Sequence, residues 1–351
     1  MARQTGTVGV DIGSAAIKVV ELSNGSSPKV RAAASAPTPA GSLEEGRIKD
    51  AQAVGKTLRE LVQNAGIKSK RAVAAVNGQV ALMREVHMPP LPPEEIKQAA
   101  RFEVERYLPY PIADVTFDTV VVGEGGGDKK GVDVLVVAAR TDVLRQHMAA
   151  LQTAGLEPAV LEVEPLAVVR AVASGATDEQ VTACIHMGSS VTMILVAEGQ
   201  VPRVIRTVAF GTTQLLEAAG SRLGATGEAP AVLQARLAAA ARGNQAAGAE
   251  VVAGLREAID DALLSLVTEI RRSLEYYGGR YRTAVPDRIV VTGGGATLPD
   301  VTASLTAALD MQVEQGDPFV DLGGPPAGVT PESRAAYAVA AGLARRGVSD
   351  R

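Results

Sequence analysis

The opening of the chain alternates apolar runs with small, polar turns. VGVDI at 8–12 and IKVVEL at 17–22 have strand length, GSAA between them has turn composition, and Asn24-Gly25 marks a second turn. About 175 residues later the pattern returns. TACIHMGSSVTMILV at 182–196 is followed by the turn AEGQ and a third strand, VPRVIRTVAF. Aligned, the two units set Gly13 against Gly188, Ser14 against Ser189, and Asp11 against His186. Two halves that each begin with such a hairpin predict a duplicated α/β architecture, not one continuous sheet.

Between the hairpins, Val54, Leu58, Leu61, Val62 and Ala65 share one helical face, and Ala72 to Val76 reads as a strand. These complete a first-lobe core over 1–83. From Arg84 to about Leu161 the character changes, with MPPLPPEE, a helix with Ile96, Ala99, Ala100 and Tyr107 on one stripe, and the turn LPYP. Two strands flanking GEGGGDKKG follow, then a helix capped by Thr141 that runs through Leu144, Met148 and Leu151 to Gly155. This βαββα-like stretch, 84–161, reads as an inserted subdomain. The second lobe, 162–333, carries Ala-rich helices from about Gln214 to Gly243. A long helix follows from Leu255 to Tyr277, with Ile259, Leu263, Leu266, Ile270 and Leu274 at spacings of three and four. Next come the strand RIVVTGGG, a short helix from Leu298, and within 334–351 a final Ala-rich helix from Arg334 to Arg346.

Composition narrows the classes. With 46% hydrophobic, 21% charged and 3% aromatic residues in 351, the chain predicts a soluble globular protein of about two domains, packed with Val, Leu, Ile and Ala. A net charge of −4, from 35 Lys+Arg and 39 Asp+Glu, gives no electrostatic ground for nucleic-acid binding or for direct contact with an anionic bilayer. The single cysteine, Cys184, lies in an apolar strand and predicts a core thiol. His87, His147 and His186 lack zinc-type spacing, and the first two read as structural or surface residues. The longest apolar runs, such as VDVLVVAA at 132–139, fall short of the ~20 residues that span hydrocarbon. MARQTGT at the start lacks the apolar core of an export signal, so a cytoplasmic location is expected.

A triphosphate needs many donors at close range, and a tight glycine-bearing turn supplies convergent amides with no Cβ in the way. Gly13-Ser14-Ala15-Ala16 is one such turn and Gly188-Ser189-Ser190 another. Asp11 could hold Mg²⁺ through water, and Lys18 could reach a phosphate. Each also reads as an ordinary hairpin. Gly293-Gly294-Gly295 ends a strand before a helix, which suits close approach of a nucleotide or a plain strand–helix turn. GEGGGDKKG lacks a Gly-Lys-Ser/Thr ending and leads into a strand, so it reads as a flexible hairpin loop. Arg271-Arg272 faces either an adenosine or solvent. Phe102, Tyr107, Tyr110 and Phe117, four of ten aromatics within sixteen residues, build either a core or a hydrophobic groove for a peptide.

The ordered trio of glycine turns resembles the actin-like ATPase superfamily over most of the chain. Within it the sequence is similar to the PilM family of type IV pilus assembly, relatives of FtsA. The similarity rests on MREVHMPPLPPEEIKQAARFEVERYLPYPIADVTFD at 83–118, LEVEPLAVVRA at 161–171 and RRSLEYY at 271–277. It implies an actin-like α/β fold, with two duplicated lobes around a nucleotide cleft, an FtsA-type insertion in the first lobe and a C-terminal helix returning to that lobe. ATP and Mg²⁺ are the implied cofactors. Asp11, Gly13, Ser14, Ala15, Ala16 and Lys18 would serve phosphates and metal, and Gly188, Ser189 and Ser190 the opposite side. Gly293, Gly294 and Gly295 would line sugar and base, with Gly211-Thr212-Thr213 as a further cleft turn or a simple helix cap. Glu164 would orient the attacking water, or else be a helix N-terminal acid stabilised by the dipole.

The family also implies a groove between first lobe and insertion that receives the cytoplasmic N-terminal tail of PilN. Contact with PilO would run through PilN, motor ATPases would be looser partners, and the protein would sit peripherally at the inner membrane. ATP would clamp the lobes and set the groove's shape. One departure matters: the second phosphate turn usually begins Asp-x-Gly, and here it reads His186-Met187-Gly188. Imidazole, largely neutral near pH 7, cannot replace that carboxylate, so ATP binding with at most very slow hydrolysis is expected. A small-molecule kinase is the first alternative, although no segment supplies an acceptor pocket and its base. An FtsA-like filament protein is the second, although only LARRGVSDR follows Gly342, with no amphipathic membrane helix.

Overall fold

The computed structural model describes residues 6–108, 110–124, 131–222, 249–281 and 285–349. The chain divides into two compact units, one of residues 1–170, 322–328 and 339–351, the other of 171–321 and 329–338. In the first, β1 (Thr7–Ile12), β2 (Ala16–Leu22) and β3 (Val30–Pro37) form an antiparallel run. Parallel strands β6 (Arg71–Val76) and β10 (Glu157–Val163) extend it on the other side of β1, after a short β4 (Leu43–Glu44) and β5 (Arg47–Ile48) hairpin. The sheet order is therefore β3-β2-β1-β6-β10.

The second unit repeats this plan. β11 (Val181–Met187), β12 (Thr192–Glu198) and β13 (Val201–Val208) are antiparallel, and β14 (Arg288–Thr292) and β15 (Val313–Gln315) add in parallel, giving β13-β12-β11-β14-β15. The fold is α/β and duplicated, as the recurring hairpin predicts.

Helix α1 (Ala51–Asn64) starts where the Asp50 side chain accepts from the Gln52 and Ala53 amides. Its buried face, Val54, Leu58, Leu61 and Val62, joins Val8, Val10, Ile12 and residues of α3 (Thr141–Thr153) in one core. The other face of β1 meets α8 (Ala338–Ser349). A Cβ on Gly9 would overlap the Ala340 carbonyl oxygen, and one on Gly342 would overlap that of Ala167 in α4 (Glu164–Val172). Arg170 fixes this seam, donating to both Glu162 carboxylate oxygens (2.7 and 3.0 Å) and to the Gly342 carbonyl (2.9 Å). In the second unit, α5 (Thr212–Arg222), α6 (Ala249–Tyr281) and α7 (Val301–Leu309) pack with Val181, Ala183, Ile185 and Met187 of β11.

The stretch from β7 (Ala81–Met88) onward forms a separate sheet, β7-β9-β8, with β8 (Val115–Glu124) and β9 (Val132–Arg140). Helix α2 (Pro93–Glu105) covers it through Ile96, Ala100 and Val104. Proline suits the start of α2, where an amide hydrogen would have no helical partner. The GEGGGDKKG loop lies mostly outside the described residues, as does the Ala-rich stretch 223–248.

Several expected boundaries shift. Thr141 does not cap α3: β9 runs straight into the helix with Arg140 at the cap position, and the Thr141 hydroxyl pairs with that of Thr116 at 3.0 Å. Met148 is exposed on α3, while His147 is buried and bonds its own helix at Val143 O, 2.9 Å. No α-helix begins at Leu298. Residues Gly294–Thr297 make a single 3₁₀ turn, and α7 waits until Val301 because Pro299 and a left-handed Asp300 (φ 62°) intervene. Arg334–Tyr337 is likewise 3₁₀, leading directly into α8. No described helix is long and apolar enough to cross a membrane.

Gly342→Val should force α8 off α4 and cost about 3 kcal/mol, or roughly 6–12 °C in Tm. Gly279→Ala, where nothing lies within 4 Å, should leave Tm unchanged or slightly raised. Thermal unfolding of both variants checks the contrast.

Candidate functional site

In the first unit, β1 ends and β2 begins across a turn closed by Gly13 N–H donating to Ala16 O at 3.2 Å. The end of β3 braces it: Thr38 N–H donates to Ala15 O (3.1 Å) and the Thr38 hydroxyl to Gly13 O (2.6 Å). Ser14 and Ala15 are exposed. Asp11 and Lys18 are directly opposed in the β1–β2 register, and Lys18 Nζ donates to Asp11 Oδ2 at 3.0 Å, with Asp11 buried. A Cβ on Gly13 would meet the Ala16 carbonyl oxygen at 3.0 Å and lie at contact distance from Lys18 Nζ (3.7 Å) and Asp11 Oδ1 (3.8 Å), so the tightness of the turn favours glycine.

Glu164 opens α4 and is buried. Asn77 Nδ2 approaches its Oε1 at 3.4 Å. Burial first, then the Asp11 charge, push its pKa up to about 8, against the opposing pull of Lys18, the Gly78 amide and Asn77. A carboxylate dominated by the helix dipole would shift downward. Burial and the neighbouring carboxylate thus favour the protonated form of Glu164.

In the second unit, Gly188 N–H donates to Val191 O at 2.9 Å, closing the equivalent turn in the same way. Thr212 and Thr213 amides donate to the Gly188 and Ser189 carbonyls at 2.9 and 3.0 Å, so the Gly211 turn opens α5 and also docks on this loop. A Cβ on Gly211 would overlap the Ser189 carbonyl. Gly293, at φ 83°, lies against the Met187 backbone, and a Cβ on Gly295 would overlap the Met187 side chain. The structure thus brings the turns at Gly188, Gly211 and Gly293–Gly295 together, while Gly294 has open space beside it. His186 Nδ1 lies 3.0 Å from Thr292 Oγ1 inside the sheet, and Cys184 is a buried thiol pushed up to about 12 by burial. Arg271 donates to Ala308 O and Arg272 pairs with Glu269 at 2.9 Å, both at exposed positions.

These turns are compatible with a nucleotide's phosphates: Ser14, Ala15 and Ser190 are exposed at their tips, and a Cβ on Gly294 would meet nothing within 4 Å. Among the described residues no three acidic, His or Cys side chains could hold a metal by themselves. Asp11 with phosphate oxygens and water is the donor set Mg²⁺ ordinarily takes, so the residues also fit that ion.

The four clustered aromatics occupy separate environments. Phe102 is 69% exposed, on the side of α2 away from Ile96, Ala100 and Val104. Tyr107 lies beneath the Arg84 guanidinium, 3.7 Å from its ring centroid, and lines a narrow cavity with Leu82, Val86, Glu103 and Val136. Tyr110 sits 5.5 Å from the Arg140 guanidinium, and Phe117 packs partly buried under α2. Sequence reasoning missed Thr38, Asn77 and Thr292. Asn77-Gly78, a turn dipeptide directly after a predicted strand, was the available signal for Asn77. Thr38 had none.

A family model for type IV pilus assembly protein PilM matches residues 9–348. A chain in the solved PilM-PilN type IV pilus biogenesis complex is 27% identical, with 98% of this chain and 99% of that chain covered and a TM-score of 0.83. Ethanolamine utilization protein EutJ from Carboxydothermus hydrogenoformans is 17% identical, covering 96% and 88%, with a TM-score of 0.54. MreB 5 of Spiroplasma citri, solved bound to AMPPNP, is 11% identical, covering 99% of each chain, also at 0.54. These last two share the fold, which is that of the actin-like ATPases.

The raised Glu164 pKa has a definite sign. Between about pH 4.5 and 8 the folded protein keeps a proton that the unfolded chain loses, so this group's contribution to stability is full below 4.5 and is lost as pH rises through 8. Glu164→Gln should remove that slope. In buffer free of metal and nucleotide, its stability relative to wild type should improve from pH 5 to pH 9 by on the order of several kcal/mol. Urea unfolding at stepped pH measures it.

Proposed function

The chain belongs to the family of type IV pilus assembly protein PilM, and from that premise we propose that it is an ATP-binding scaffold of the pilus inner-membrane assembly complex. Its partner is the N-terminal cytoplasmic tail of PilN, with PilO reached through PilN. The reading is carried by the full-length likeness, at 27% identity and a TM-score of 0.83, to a chain of a PilM-PilN complex. A small-molecule kinase and a filament-forming division protein are not favoured by that likeness. The protein works at the cytoplasmic face, and its contact with the membrane is indirect.

ATP is held by the turn Gly13, Ser14, Ala15 and Ala16 with Lys18, and by the turns at Gly188, Ser189, Ser190 and Gly211. The amides of Gly13, Gly188 and Gly211 close on Ala16 O, Val191 O and Gln214 Oε1, which leaves the exposed Ser14, Ala15 and Ser190 to present donors. Gly293, Gly294 and Gly295 receive the sugar and base. Mg²⁺, where bound, supplies charge neutralisation at the phosphates, and Asp11 is the carboxylate that would hold it through water. Glu164 is the one candidate for orienting water, and it must first give up its proton. His186 is bonded within the sheet to Thr292 and brings no carboxylate to the second turn. Hydrolysis is accordingly slow, and the nucleotide acts as a ligand that shifts conformational populations.

The PilN tail docks on α2, where Phe102 projects and Tyr107 lines the cavity beside β7, flanked by Tyr110. Phe117, packed beneath, supports the helix. In a titration with a synthetic PilN tail peptide, Phe102→Ala with Tyr107→Ala should weaken binding about tenfold or more without lowering Tm. Unchanged affinity in that folded variant would count against the surface. Phosphate release by purified protein should stay below ~10⁻² s⁻¹, and faster Mg²⁺-dependent release that Asp11→Ala abolishes would contradict the scaffold reading.

A further inference from the structure

A buried carboxylate is tolerated when a counter-charge lies against it. For Asp11 that partner is Lys18, cross-strand at 3.0 Å and itself only 17% exposed. Lys18 is also the cation that the first turn offers to a phosphate. An ammonium is a compact point charge, and one that leaves a buried carboxylate for a phosphate strands a negative charge beside an incoming polyanion. The hairpin of the second unit has no such conflict, because His186 and Met193 occupy the equivalent opposed positions.

Resting on the nucleotide reading above, we propose that Asp11 holds Lys18 in reserve, so that this site selects metal-complexed over free nucleoside triphosphate. Lys18 is released to the phosphates only when Asp11 gains another counter-ion. Asp11 then does more than contribute to a metal's shell: in the absence of metal it inhibits nucleotide binding. The consequence runs against ordinary expectation, since neutralising Asp11 should tighten metal-free binding.

Calorimetric titration of the full chain with ATP, in excess Mg²⁺ and in EDTA, tests this. Wild type should bind about a hundredfold more weakly in EDTA. Asp11→Asn, of the same shape, should bind metal-free ATP about tenfold or more tightly than wild type and so narrow the gap. In a Lys18→Met background the same Asp11→Asn change should lose most of that gain, because the released ammonium is gone. Thermal melts verify that each variant is folded. An Asp11→Asn protein that binds metal-free ATP no better than wild type overturns the proposal, as does a gain of equal size without Lys18. A wild-type ratio below about threefold overturns it without recourse to any variant. Failure of wild type to bind ATP even in Mg²⁺ would be a different result, overturning the nucleotide reading itself.

Discussion

A strand sealed on both faces can release its chain only at its ends, and β1 is sealed along its whole length. Val8, Val10 and Ile12 enter the α1 core, while Gly9 faces α8 at a distance that excludes a side chain. The seam is closed by Arg170, whose fork holds Glu162 and the Gly342 carbonyl together. Such a partly buried pair contributes little net stability once desolvation is counted. β1 is held between these two packed layers, and the Gly13 turn lies at its end. The site is in this sense an edge effect of the packing beneath it.

The duplicated plan lets the two hairpins be compared as one experiment with different side chains. Both turns close with the same glycine amide to a carbonyl three residues on. Their opposed side chains differ: Asp11 with Lys18 in one, His186 with Met193 in the other. His186 turns instead to Thr292 on the neighbouring parallel strand, the last residue before the Gly293 turn. One hairpin has kept a charged mouth and the other has exchanged it for a link between two backbone turns. On the nucleotide reading proposed above, phosphate recognition through amides would tolerate this difference, and the charge arrangement that organises metal and water would not.

The sequence pattern made the hairpins legible because strand periodicity and glycine turns are local signals. The long helix α6 and the β7-α2-β8-β9 insertion were legible for the same reason. Helix starts were less so: Thr141 has the chemistry of a cap, but the cap position fell to Arg140 because β9 leaves no turn before α3. The four aromatics fall on different elements, so their clustering in sequence did not set their environments. Phe102 is six residues from Ile96, which places it away from the buried stripe, and that much could be read in advance. Thr38 could not, since it reaches the Gly13 turn only through the pairing of β3 with β2.

Glu164 shows why residue type and position underdetermine chemistry. At the head of α4, the helix dipole favours the ionised form. Burial and the Asp11 charge oppose it and win. A base must be ionised to accept a proton, and burial with the Asp11 charge disfavours that state for Glu164. His186 is bonded to Thr292, and Asp11 is engaged by Lys18. On the reading proposed above, slow hydrolysis would follow from the engagement of these side chains and not from any defect in the backbone turns.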